Sequence, residues 1–183
     1  MSLEKILTKK VWADEIFYAF ETIEDITFTA PEGVVFTADS HITGTSTVAV
    51  KDVVLSALAG VVSATVTYIV QEELAVVINA EPGPDDFRLE YMFEFTRVYE
   101  FQKFTLPEAL LITDLEGVVF RFSGTVTLTN VDLPVGESTG SFDNEINTMT
   151  KLKITQNIQP IVVLGSAPYV VVAPITAIPI PTP

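Results

Sequence analysis

The chain has 183 residues, no cysteine, one histidine, and 24 acidic against 10 basic side chains, for a net charge of -14. That length is enough for one domain with a full core, and 48% hydrophobic residues set it apart from disordered chains. The missing thiols exclude thiolate metal sites, Fe–S clusters, cysteine nucleophiles and disulfides; a Ser-His-Asp triad would have to use His41, and the acidic balance speaks against nucleic acid or anionic lipid as a partner.

Val, Thr and Ile make up 61 of the 183 residues, and β-branched side chains suit a pleated surface better than a helix, so the expectation is an all-β fold. Taken in order, Ser2–Val11, with Leu3, Ile6 and Leu7, is expected to form a short helix, as is Lys51–Leu58. Short strands are expected at Ile16–Glu21, Asp25–Thr29, Val34–Ala38, Ile42–Val50, Leu74–Asn79, Leu110–Thr113 and Met149–Asn157. Three longer segments alternate clearly. In Val61–Val70, Val62, Ala64, Val66, Tyr68 and Val70 oppose Ser63, Thr65 and Thr67. In Phe87–Phe101 the row Phe87, Leu89, Tyr91, Phe93, Phe95, Tyr99 and Phe101 is broken only by Arg97. In Val118–Asn130, Val118, Phe120, Phe122, Val126 and Leu128 share one face, and Gly124 suggests a bulge or bend. Turns are signalled by Pro31-Glu32-Gly33, by 81–86, by Glu116-Gly117 and by Pro134-Val135-Gly136. Alternation with turns about every ten residues predicts an antiparallel β-sandwich, jelly-roll or immunoglobulin-like, with extended terminal segments.

Membrane insertion is not expected. The uncharged stretch Val53–Val70 alternates with Ser and Thr, and the uncharged stretch Ile154–Pro183 holds six of the eleven prolines. Lys9-Lys10 leads into Asp14-Glu15 rather than an apolar run, so no signal peptide is recognisable and the mature chain is expected to begin near Met1.

The search for chemistry yields little. His41 stands beside Asp39 and Ser40 with no nucleophile motif, and the phosphate, dinucleotide and hydrolase signatures are all missing, so an enzyme is the minority reading. Paired carboxylates at Asp85-Asp86, Asp114/Glu116 and Asp143/Glu145 sit near turns, where oxygen ligands hold hard cations. Asp85, Asp86, Asp143 and Glu145 are the calcium candidates; a solvated acidic turn is the default, and a metal-assisted hydrolase there is the remotest reading. No other cofactor is expected.

The C-terminal stretch is the most informative. Tyr169, Val171, Ile175, Ile178 and Ile180 lie in an apolar, proline-stiffened run that would be left in water unless its own domain or a neighbouring subunit covers it. At the other end Val11, Trp12 and Phe17 stand beside Lys9 and Lys10, a basic cluster on an acidic body. These eight residues are the candidate interface. The organisation expected is an N-terminal segment 1–22 that bridges subunits, a sandwich domain 23–157 and an apolar extension 158–183.

The run Ala59–Val70, followed after an acidic linker by Phe87–Phe101, resembles the SPOCS-type β-domain of clostridial spore coat and morphogenesis proteins, over roughly 48–131. Asp86-Phe87 stands where that pattern has proline-phenylalanine. The resemblance implies a self-associating structural protein of a spore surface with no catalytic residues. Together these readings favour a structural subunit of a homopolymeric filament, tube or coat, whose partner is itself, joined by strand-edge and terminal contacts, on a spore or cell surface or otherwise in the cytoplasm. The alternative is a sandwich module binding carbohydrate or protein through aromatics such as Trp12, Tyr91 or Tyr99.

Overall fold

The computed structural model describes the backbone of residues 2–5, 8–158 and 161–164, and the side chains of 9–158. Its strands are β1 (Ser2–Lys5), β2 (Thr8–Thr29), β3 (His41–Leu58), β4 (Val61–Val77), β5 (Phe87–Thr105), β6 (Glu116–Asp132), β7 (Thr139–Ile158) and β8 (Ile161–Leu164). The middle three strands form one antiparallel sheet in the order β3–β4–β5, and the first long strand joins the last two in a second, β2–β7–β6. The two pack face to face as the expected all-β sandwich. Connections 30–40 and 106–115 carry the chain between sheets.

Both segments expected to be helical are extended. Ser2–Lys5 and Thr8–Val11 belong to β1 and β2, and Lys51–Leu58 is the second half of β3. Each pairs along a partner strand, and a ladder outweighs a weak local preference. Leu110–Thr113, expected as a strand, runs into a single 3-10 turn at Ile112–Asp114, and Glu116-Gly117 opens β6 instead of making a turn. The β1–β8 ribbon continues the β2–β7 ladder without change of register, Ser2 facing Leu164 as Thr8 faces Ile158. The boundary expected between 22 and 23 falls inside β2, which runs unbroken in the sheet from Thr8 to Thr29.

Period-two alternation fills the interior. Val62, Ala64, Val66, Tyr68, Val70, Leu74 and Val76 of β4 are buried, as are Phe142, Ile146, Leu152 and Ile154 of β7. They form two apolar clusters. One is built around Tyr68, Tyr99, Phe101 and Leu152; the other is built around Phe28, Phe36, Leu74 and Phe142. Polar groups lie between and beside them. The Tyr68 hydroxyl lies 2.9 Å from that of Tyr99 and 2.7 Å from that of Thr150, which ties β4 and β5 to the opposing sheet. Glu72, only 2% exposed, accepts from Ser46 Oγ at 2.8 Å and from Asn144 Nδ2 at 3.0 Å.

The seams between the sheets are closed by side chains. At β2–β5, Phe17 stacks on Tyr99 at 4.8 Å, Arg97 pairs with Glu21, and Glu15 accepts the backbone N–H groups of Gln102 at 3.1 Å and Lys103 at 2.8 Å. Those two bonds occupy donors that β5 would otherwise offer to another strand. Arg97, the break in the aromatic row, therefore reaches across the seam. At β3–β6 the sheets approach so closely that a Cβ on Gly124 would lie 2.4 Å from Val48 Cγ1. Gly124 marks this contact; the β6 bulge falls between Val119 and Arg121 instead. That shift turns Phe120 outward, 60% exposed, and puts Val118 opposite the outward Lys153, against the expectation that both share the inner row.

The β3–β4 hairpin closes on two residues, Ala59 and Gly60, with φ of 50° and 83°, the left-handed pair of a type I′ turn. Asn tolerates that region better than Ala, so Ala59→Asn is expected to stabilise the fold by about 0.5–1 kcal/mol in denaturant titration. Tyr68→Phe leaves the buried Tyr99 and Thr150 hydroxyls short of a partner and should lose about 1–3 kcal/mol at pH 7. Burial, then the Tyr68 hydrogen bond, pushes the Tyr99 phenol well up. Wild-type stability from this group is therefore intact below about pH 10 and declines as pH rises beyond it, measurable as a falling melting temperature.

Candidate functional site

The outer face of the β2–β7–β6 sheet carries the least ordinary surface of the molecule. On β2 the outward row is Asp14, Ile16, Tyr18 and Phe20, of which Ile16 is 50%, Tyr18 75% and Phe20 56% exposed. Tyr18 is in register with Met149 of β7 and Ser123 of β6, and Phe20 with Asn147 and Thr125. The two aromatics stand over a shallow hollow of about 490 Å3 floored by the small residues of β6 and β7. Lys151 binds Asp14 at 3.1 Å, and the Lys153 ammonium lies 3.5 Å from the centroid of the outward Phe120 ring. The result is an apolar ridge bordered by cations on a protein of net charge -14.

The interface candidates of the N-terminal segment differ in exposure, with the β2 bulge at Val11/Ala13 between them. Val11 is exposed, at 48%. Trp12 is half-buried, packed 6.3 Å from Phe104 with its Nε1 donating to Gln156 Oε1 at 3.1 Å, and Phe17 is turned inward onto Tyr99 and Phe101. Sequence reasoning found the segment but missed Ile16, Tyr18 and Phe20. Both rows of this strand are apolar, so only the position of the opposing sheet decides which faces out. Tyr169, Val171, Ile175, Ile178 and Ile180 lie outside the described residues. The aromatics considered for a carbohydrate platform face inward as well: Tyr99 is buried, and Tyr91 stacks on Phe93 at 5.7 Å with Phe142 at 5.8 Å. Burial, then the Glu72 carboxylate, pushes the Tyr91 phenol up.

Two of the four calcium candidates, Asp86 and Asp143, act as local clamps. Asp86 accepts the backbone N–H groups of Ile78 at 3.0 Å and Gly83 at 2.8 Å, closing the 78–86 connection, while its neighbour Asp85 is exposed. Asp143 accepts from the Asp25 backbone N–H at 2.8 Å and from Asn130 Nδ2 at 2.6 Å. Asp25 and Asn130 have φ of 55° and 48° and sit in the bulges of β2 and β6. One carboxylate on the central strand thus holds the irregularities on both sides. Glu145 points to the outer face opposite Thr22 and Thr127. Asp114 accepts from the Leu111 N–H at 3.2 Å, and Glu116 pairs with Lys9 at 2.9 Å. Among the described residues no group of three His, Cys, Asp or Glu side chains is placed to hold a metal. His41, exposed at the start of β3, donates from Nδ1 to the Asp39 carbonyl at 2.9 Å.

A second surface feature, a shallow groove of about 790 Å3 at the β3–β6 seam, is lined by Val53, Leu55, Leu115, Gly117, Val119 and Phe122. No described helix is long and apolar enough to cross a membrane. No family model matches the chain, and no curated protein or solved structure matches it.

The Asn130 and Asp25 hydrogen bonds hold the Asp143 carboxyl below the usual carboxylate range, and the Ile78 and Gly83 N–H groups do the same for Asp86. A carboxyl depressed in the folded state stabilises above its unfolded value near pH 4, and that contribution is lost as pH falls through the folded value. Asp143→Ala should therefore melt below wild type at pH 7, and the gap should narrow as pH falls below about 4 in thermal scans. Chelator should leave the wild-type melting temperature unchanged.

Proposed function

We propose that this chain is a structural subunit that self-associates into a homopolymer, a filament, tube or coat. The observation that carries the reading is the ridge Ile16-Tyr18-Phe20, three large apolar side chains at least half exposed on consecutive outward positions of one strand. Phe120, exposed on β6 beyond the Lys151 and Lys153 positions of β7, adds a fourth outward apolar side chain to the same sheet face; clustered exposed apolar side chains of this kind mark interaction surfaces on globular proteins. Aromatic side chains presented this way are the usual anchors of protein–protein contacts.

A polymer needs a second contact that does not close on itself. Support for one comes from the termini. β1 and β8 pair Ser2–Lys5 with Ile161–Leu164 in the same register as the Thr8–Ile158 pair, and the uncharged segment 165–183 follows from the far end of that ribbon. A neighbouring subunit is the surface we propose for its apolar side chains. The two strands on which the SPOCS-type resemblance rests are paired neighbours, β4 and β5. That resemblance favours a spore or cell surface as the location. The carbohydrate-binding alternative loses its support, since Trp12, Tyr91 and Tyr99 all pack inward.

Light scattering and negative-stain imaging at rising concentration test the reading. Wild type is expected to form oligomers and extended polymers, and Tyr18→Ser with Phe20→Ser to weaken association by about 2–4 kcal/mol without lowering the melting temperature. Removal of 175–183 is expected to shorten or abolish polymers. A monomer persisting at millimolar concentration overturns the proposal.

A further inference from the structure

Building on that self-association reading, we infer that the occupant of the β2–β7–β6 face is a second copy of the same face, related by a two-fold axis that runs across the strands between the rows of Asn147 and Met149. The argument is the order of charge along β7. Its outward residues between positions 143 and 153 are Asp143, Glu145, Asn147, Met149, Lys151 and Lys153, with the uncharged Thr139 and Ser141 before them. Two acids, two uncharged residues and two bases lie symmetrically about the midpoint, so the strand is complementary to itself reversed.

A two-fold axis lying between the faces and perpendicular to the strands turns the second copy antiparallel and lays β7 on β7. Lys151 then faces Glu145 of the second copy, and Lys153 faces its Asp143. In the same arrangement β2 lies on β2, with Tyr18 against Phe20 of the second copy and the reverse, so the ridge is covered along one side of the contact. The flanking row fits as well: Ile16, in register with Lys151, meets Thr22, in register with Glu145. The other face-to-face axis, parallel to the strands, stacks Lys151 on Lys151 and Glu145 on Glu145. Like charges across an interface suppress that arrangement, whereas the complementary one fixes the register. Packed sheets stand about 10 Å apart, which leaves room for both aromatic layers. A contact of this kind is isologous and closes at the dimer, so it supplies the building block and leaves the ribbon for growth.

Charge reversal and cross-linking test the geometry, with circular dichroism and melting curves monitoring the fold, since Lys151 also binds Asp14. Lys151→Glu alone and Glu145→Lys alone should each weaken dimerisation at least about tenfold by sedimentation, and the two combined in one chain should restore it. The chain has no cysteine of its own. With Lys151→Cys and Glu145→Cys in one chain, a bis-maleimide spanning about 10 Å should give covalent dimers, because the same two positions within a chain are about 20 Å apart along β7. If wild type associates while the combined reversal fails to restore it and no cross-linked dimer forms, the two-fold face is wrong and self-association stands. If wild type remains monomeric, both readings fail together.

Discussion

A strand with one buried face must send every second residue inward, and in this molecule that constraint governs everything else. β7 shows it best because it is paired on both sides. Phe142, Asn144, Ile146, Thr148, Thr150, Leu152 and Ile154 go to the interior, and the residues between them go to the surface. The interior row is not uniformly apolar, and that is what locks the register. Asn144 must meet Glu72 and Thr150 must meet Tyr68, both across the sandwich. A slip by one residue would bury Lys151 and Lys153 and take from Glu72 and Tyr68 their bonds across the sandwich, a cost far larger than a misplaced methyl group.

Because the pleat counts by twos, each bulge reverses the assignment beyond it. Register shifts occur at Val11/Ala13 and Ile23/Ile26 of β2, Val50/Asp52 of β3, Glu100/Thr105 of β5 (opposite Val61/Ser63), and Val119/Arg121 and Thr129/Asp132 of β6. All four strands flank a neighbour that runs straighter. Bulged flanking strands bend and twist more strongly, which lets the two sheets draw together at the seams and makes them poor templates for unplanned pairing. Asp143 holds two of these irregularities from the strand between them, so a residue that looked like a metal ligand serves the curvature of the sheet.

The same physics sets what was legible in the sequence. Val61–Val70 alternates without interruption and Phe87–Phe101 is broken only at Arg97, and their inward apolar rows are those expected. Val118–Asn130 alternates too, but a bulge lies four residues before Gly124, so Phe122, Val126 and Leu128 face in as expected while Val118 and Phe120 face out. Nothing in the composition of 119–121 announces an extra residue. Around Ile16–Phe20 the failure has another source: Phe17 and Ala19 are as apolar as Ile16, Tyr18 and Phe20, and which row is buried depends on β5, eighty residues away in sequence. The helix expected at Ser2–Val11 rested on Leu3, Ile6 and Leu7, a spacing that the terminal ladder overrides. Exposed ridge and inward aromatics are one tertiary fact, and no local pattern encodes it.

Charge then decides what the ridge can accept. With 24 acids and 10 bases, most of the surface repels another copy of the chain. Three of the ten bases, Arg121, Lys151 and Lys153, are gathered at one end of the ridge, and Glu145 and Asp143 stand at the other. Apolar area alone would let two copies meet in any rotation, since burial has no direction. The ordered charges along β7 remove that freedom: one rotation pairs them and the other opposes them. Specificity here comes from the outward half of the strand whose inward half sets the fold, and the pleat keeps the two from interfering.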